Sequence, residues 1–194
     1  MKINKIIKKI ENDPENSQFN QKGYKPILMI NPLAKILIIG QAPGLKTQIA
    51  NEVFLDKSGD RLRSWLGVSK EEFYNSNDFA VLPLDFYFPG KAKSGDLPPR
   101  KDFAKKWHPM LIKQMPNIKL VILAGTYAQK EYLQKERKEN LTSTVKAYRQ
   151  YLPKYFPIVH PSPINQRWEK KNPFFQKEVL PYLQNLIKSI RKKD

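Results

Sequence analysis

The two histidines of this chain, His108 and His160, are its side chains with an ordinary pKa near neutrality. His160 opens the run His160-Pro161-Ser162-Pro163-Ile164-Asn165-Gln166-Arg167-Trp168. Pro161 and Pro163 restrict the backbone behind it, so the imidazole is presented at low entropic cost, as a preorganised hydrogen-bond donor requires. A hydrogen-bonded structural histidine is the other reading of that position. His108, in Lys106-Trp107-His108-Pro109, also precedes a proline and reads as the start of a helix. Gln41 lies in Gly40-Gln41-Ala42-Pro43-Gly44, a tight polar turn that interrupts an aliphatic run. Neither Gly-Lys-Ser nor Gly-x-Gly-x-x-Gly follows it, which argues against a phosphate-cradling loop. The nearby carboxylates are Asp56 and Asp60, in Phe54-Leu55-Asp56-Lys57-Ser58-Gly59-Asp60-Arg61-Leu62. They also read as a loop residue and a first-turn helix residue.

Strand ends must position these groups. Lys35 to Ile39 is an aliphatic run suited to a parallel strand covered on both faces, and Gly40 breaks it. Similar strands are predicted at Phe79 to Leu84, Leu120 to Ala124 and Tyr155 to Val159, the last ending at His160. Between them lie helical patterns. Ile3, Ile6, Ile7 and Ile10 share one helical face; Leu62, Trp65 and Leu66 follow a Ser58 cap and stop at Gly67. Ser69 with Glu72 forms a capping box, Thr126 caps a helix reaching about Lys135, and another runs from Leu141 to about Tyr151. Asn172 and Pro173 open a last segment kinked at Pro181, and residues 45–53 read as irregular loop. Strands alternating with helices give an α/β domain with a parallel sheet, whose ligands bind beyond the carboxyl ends of the strands.

Thirty-five Lys and Arg against 18 Asp and Glu give a net charge of +17. Such a surface draws polyanions, nucleic acid first among them; charge merely spread over solvated faces is the alternative. Gly90 to Trp107 carries Lys91, Lys93, Arg100, Lys101, Lys105 and Lys106 among glycines and prolines. This stretch reads as too polar for the core, and as a mobile basic flap beside a site in preference to an idle surface loop. Arg191-Lys192-Lys193 reads as a solvated end. Zero cysteines remove disulfides, thiolate nucleophiles and thiolate-held zinc or iron-sulfur centres. Lys2, Lys5, Lys8 and Lys9 interrupt the apolar residues of the N-terminus, and no span is apolar enough for a bilayer. The expectation is one domain over 1–194, monomeric and cytoplasmic, with no membrane partner.

In order and spacing, Gly40 to Gly44, Phe54 to Leu62, Gly90 to Arg100, and His160-Pro161-Ser162-Pro163 followed by Trp168 resemble the motifs of the uracil-DNA glycosylase superfamily. The resemblance covers most of 35–180 and implies a three-layer α/β/α sandwich with a central four-stranded parallel sheet. It also implies hydrolysis of the N-glycosidic bond of uracil or a related deaminated or modified base in DNA, without cofactor or metal. The base is taken out of the stack, in duplex or single strand. On this pattern His160 donates to the base carbonyl oxygen, Phe54 stacks on the base, and Gly40, Gln41 and Ala42 line its pocket. Gln41 occupies the position where some relatives carry a water-handling carboxylate. The segment Ser162 to Arg167 enters the duplex, with Ile164 as apolar wedge and Ser162, Asn165 and Arg167 beside it. Lys91, Lys93, Arg100 and Lys101 contact DNA. Ala42 stands where the best-known branch has an aspartate, which leaves Gln41, Asp56 or Asp60 to handle water or support the sugar cation. Asp85 lies nearest to an expected base-reading asparagine, whose donor and acceptor pattern differs, so the target can be a base other than uracil. A weakly catalytic or non-catalytic DNA- or modified-base-binding protein on the same fold is the second reading.

Overall fold

Aliphatic runs that bury both faces of a pleated strand assemble the centre of the molecule. In a computed structural model, which describes residues 3–192, they form β1 (Ile36–Gly40), β2 (Phe79–Pro83), β3 (Leu120–Ala124) and β4 (Tyr155–Ile158). All pairs are parallel, in the order β2-β1-β3-β4, with Ile38 opposite both Val81 and Ile122, and Ile122 opposite Phe156. Alternate residues feed two cores, one on each face. Ile36, Ile38, Val81 and Ile122 pack against α4 (Lys57–Leu66), α5 (Lys70–Asn75), α8 (Leu141–Lys146) and α10 (Leu180–Lys192). Leu37, Ile39, Leu82 and Leu123 pack against α1 (Ile3–Glu11), α6 (Phe103–Ile112) and α7 (Thr126–Leu133). The result is a three-layer α/β/α sandwich. Short helices α2 (Ser17–Asn20), α3 (Leu45–Ala50) and α9 (Gln166–Lys171) complete the set. None of the described helices is long and apolar enough to cross a membrane.

Several local expectations change. Residues 45–50, read as loop, form α3 on the Gly44 N-cap. Asp56, not Ser58, caps α4: its backbone is extended and its Oδ1 accepts from Gly59 N at 3.0 Å. Gly125 replaces Thr126 as the cap of α7. Gly67 at φ +69° and the Ser69–Glu72 capping box stand as read. The helix from Leu141 ends at Lys146 and gives way to a 3-10 turn, Tyr148–Tyr151. Before Pro181, which has no N–H and would crowd the carbonyl four residues back, the backbone widens into a π-helical stretch, Phe175–Val179.

His108 lies in the interior of α6, not at its start, because burying Phe103, Ala104, Trp107 and Leu111 outweighs the cost of Pro109 inside the helix. The same burial removes Phe103 to Trp107 from the expected flap. The His108 ring is buried between Pro83 O, 2.9 Å from Nε2, and the Tyr132 hydroxyl, 2.6 Å from Nδ1. Burial lowers its pKa to about 4, so it is a neutral structural histidine. Arg191 is not a solvated end either: its guanidinium bonds Asp78 at 2.8 Å and Glu72 at 3.0 Å. Lys193 of that run lies outside the described residues.

Candidate active site

From β1 the chain moves to β2 on one side and then crosses to β3 on the other, so the strand order reverses beside β1. Crevices beyond the carboxyl ends of such reversals are where α/β sheets bind ligands. A cavity of about 440 Å³ occupies this place, lined by the turn Gly40 to Gly44, by Phe54, Asp56 and Ser58, by Lys91 and Asp96, and by His160, Ser162 and Asn165. Thr47, Val81 and Pro83 add to its lining.

Close backbone approaches build its walls. Leu84 N and Asp85 N donate to the carbonyls of Gly40 and Gln41 at 3.0 and 3.1 Å, which carries the β1–β2 pairing into the turn. A Cβ on Gly40 would meet the tip of the Phe54 ring at 3.6 Å. Phe54 itself is held at φ +52°, an unusual backbone for an aromatic residue. A Cβ on Gly59 would stand 1.6 Å from the Phe54 carbonyl oxygen, so glycine is required there; that oxygen also accepts from Arg63 Nη1 at 3.0 Å. The aromatic wall is therefore held by backbone contacts and not by ring packing alone.

On the opposite wall, Ser162 N donates to His160 Nδ1 at 3.2 Å and Asn165 Nδ2 donates to His160 O at 2.8 Å. An Nδ1 that accepts places the proton of the neutral ring on Nε2. Burial lowers the His160 pKa, and the Asp56 carboxylate pulls it the other way. The net direction keeps the imidazole neutral as pH falls through 6.5, its ordinary value. Behind the ring, Gly125 at φ +90° holds a backbone conformation that favours glycine, and a Cβ there would crowd that of His160 at 3.0 Å. Residues 29–184 match the family model of the Uracil DNA glycosylase superfamily. The chain belongs to that superfamily.

Members of the superfamily typically act on DNA as glycosylase hydrolases, and the expected residues divide into those that reach this cavity and those that do not. Gly40, Gln41, Ala42, Phe54, Asp56, Lys91, His160, Ser162, Ile164 and Asn165 line it. Ile164 is 81 % exposed, unusual for so apolar a side chain. Asp60 is elsewhere: its side chain is 75 % exposed in the first turn of α4 and pairs with Arg63 at 2.6 Å. Asp85 stands just past β2, as expected, but is not among the lining residues. Its side chain is 0 % exposed, and its two oxygens accept from Arg100 Nε and Nη2 at 2.7 and 2.8 Å and from the backbone N–H groups of Arg100 and Tyr87, which fills its acceptor sites. Arg100 spends its remaining donors inside the chain, with Nη1 donating to Glu15 O and Asn16 Oδ1. Lys93, Lys101 and Arg167 are exposed and outside the cavity lining.

The basic stretch is less free than its composition implies, because Lys91 pairs with Asp96, Lys105 with Asp102 and Lys106 with Asp13. Gly90 O accepts from Leu97 N, and Lys91 faces Asp96 across a bridge, so the loop closes on itself at the cavity edge. Asp96, Thr47 and Ser58 line the cavity without having been assigned to a site; Asp96 and Ser58 lie inside the matched motifs, whereas no signal marked Thr47. A thiolate-held cluster finds no ligands, since the chain has no cysteine. Among the described residues no group of three or more His, Asp and Glu side chains is placed to hold a metal.

Phe54 both lines the cavity and packs against one core as a partly buried residue. Phe54→Ala is expected to weaken binding to DNA bearing the target base by about 1 to 3 kcal/mol, the worth of one stacked base. Its stability loss should be smaller than the ~3 to 5 kcal/mol of a fully buried phenylalanine. Titration binding and denaturant unfolding separate the two; melting without loss of base-dependent affinity would assign Phe54 to the core.

Proposed function

We propose that the protein is a monofunctional DNA glycosylase that hydrolyses the N-glycosidic bond of uracil or a related deaminated or modified base, acting as a monomer on DNA in the cytoplasm. The observation that carries the reading is His160 in the cavity wall with Nδ1 accepting from Ser162 N, an arrangement that leaves Nε2 to carry the proton of the neutral ring and act as donor. A base turned out of the stack stacks on Phe54 and presents a carbonyl oxygen to that donor. As the glycosidic bond breaks, its electron pair passes to the base and negative charge grows on that oxygen, where a preorganised donor lowers the barrier. Water adds its oxygen to the sugar carbon, and its proton is released to the departing base or to solvent. Asp56, with one oxygen capping α4, supports the sugar cation, and Gln41 orients the water. Lys91, the amine among the cavity-lining residues, is ion-paired to Asp96, which favours water as nucleophile.

Ala42 favours the second reading, since its methyl offers no carboxylate in the turn: a protein that binds a modified base without releasing it. Duplex oligonucleotides carrying single uracil, hypoxanthine, xanthine or alkylated bases decide between them. The expected result is accumulation of abasic sites at one or more of these bases, with strand breakage only after alkali. Tight base-dependent binding without abasic sites would support the second reading. Asp56→Asn keeps the helix cap, because Asn caps as well as Asp, but removes the charge. It should slow excision by about ten- to a hundredfold, while Asp60→Asn leaves the rate near wild type.

A further inference from the structure

The loop that carries His160 is held to the opposite wall of the cavity by one side chain. Arg61, on α4, donates from Nε to the carbonyl of Pro161 at 2.8 Å. Its Nη2 bonds the Glu169 carboxylate, buried at the start of α9, and its guanidinium lies 5.2 Å from the Trp65 ring centroid. Gln176 Nε2 reaches the other Glu169 oxygen at 3.4 Å. Pro161 is buried, so its carbonyl needs a partner, and neither Pro161 nor Pro163 has an N–H with which to tie the loop down. Gly125 N and Gln129 Nε2 anchor the strand end at Ile158 O, and Trp168 Nε1 ties α9 to Thr142; between them the other bonds, from Ser162 N, Ile164 N, Asn165 N and Asn165 Nδ2, are short-range and hold the loop's shape, which leaves Arg61 as its long-range hydrogen bond.

We propose that Arg61 is a positioning residue for His160: by gripping the Pro161 carbonyl from α4, it sets the loop so that Ser162 N meets Nδ1 and Nε2–H is the donor. The proposal rests on the glycosylase reading for its consequence in catalysis, but not for its effect on the imidazole. A guanidinium can bond the Pro161 carbonyl and the Glu169 carboxylate in two fixed directions at once. An ammonium in its place keeps a charge for Glu169 without reproducing the planar fork. One residue on α4 thereby sets the spacing between the wall bearing Phe54 and Asp56 and the wall bearing His160.

The test uses Arg61→Lys and Glu169→Gln in the full-length protein, both checked for wild-type unfolding midpoints within a few degrees. Arg61→Ala is avoided because it leaves Glu169 buried without a counter-ion. Long-range nitrogen–proton NMR of the imidazole reports the tautomer directly. Wild type and Glu169→Gln should both show His160 as the Nε2–H form. Arg61→Lys should show exchange between the two tautomers, with the His160 pKa moved up towards the ordinary 6.5. On a DNA substrate, Arg61→Lys should lower single-turnover excision by about ten- to a hundredfold at unchanged DNA affinity, the scale of a small displacement of a catalytic group. An unaltered tautomer in Arg61→Lys overturns the proposal, as does an equal change in Glu169→Gln, which would make Arg61 a counter-ion only. Absence of excision in the wild type would remove the glycosylase reading instead, and the tautomer measurement would still decide the role of Arg61.

Discussion

His160→Ala is expected to cut single-turnover base excision by about a hundred- to a thousandfold, near 3 to 4 kcal/mol in the barrier, while DNA binding changes little. The asymmetry follows from where the donor acts. A carbonyl oxygen of the bound base carries little charge, whereas the departing base carries nearly a full one, so the loss falls on the transition state. In the proposed reaction the neutral ring acts on the anion as a donor, and the lowering of its pKa by burial favours that state at neutral pH. His108 is not a neutral control, because its ring bonds Pro83 O and Tyr132 in the core. Asp60→Asn, exposed and outside the cavity, serves instead. An unchanged excision rate in His160→Ala would leave the motif match without chemistry.

Arg100→Ala is expected to destabilise the fold by about 3 to 5 kcal/mol, because it strands the Asp85 carboxylate in the interior without a counter-ion. Asp85 accepts from Arg100 Nε and Nη2, from Arg100 N at 3.2 Å and from Tyr87 N at 3.1 Å. The guanidinium also lies 4.2 Å from the Phe103 ring centroid and 4.8 Å from that of Phe19. These contacts join the first helical segments to the loop leaving β2. Denaturant unfolding should show the loss, and the folded fraction should keep the wild-type salt dependence of DNA binding. A stable Arg100→Ala whose log-log salt slope flattens by about 0.9 would instead make Arg100 a phosphate contact.

Local pattern determined the sheet of this protein. Four short apolar runs, two of them broken by Gly40 and Gly125, specify buried parallel strands from neighbouring residues alone. The site's location follows, because ligands gather at such strand ends. His160, Gln41 and Phe54 were legible for the same reason, each lying in a short run that carries its own turn chemistry. The fate of the charges was not legible. Asp60 and Asp56 sit four residues apart on one helix start, and only packing shows that Asp56 faces the cavity while Asp60 faces solvent. Asp85 and Arg100 looked like a base reader and a DNA contact, yet the fold brings them together across a loop and buries the carboxylate of the pair. Arg61 and Glu169 are 108 residues apart. Hydrophobic periodicity is a property of adjacent residues, whereas the partner of a charge depends on which distant segments the packed cores bring within about 3 Å, and that distance exists only in the tertiary structure.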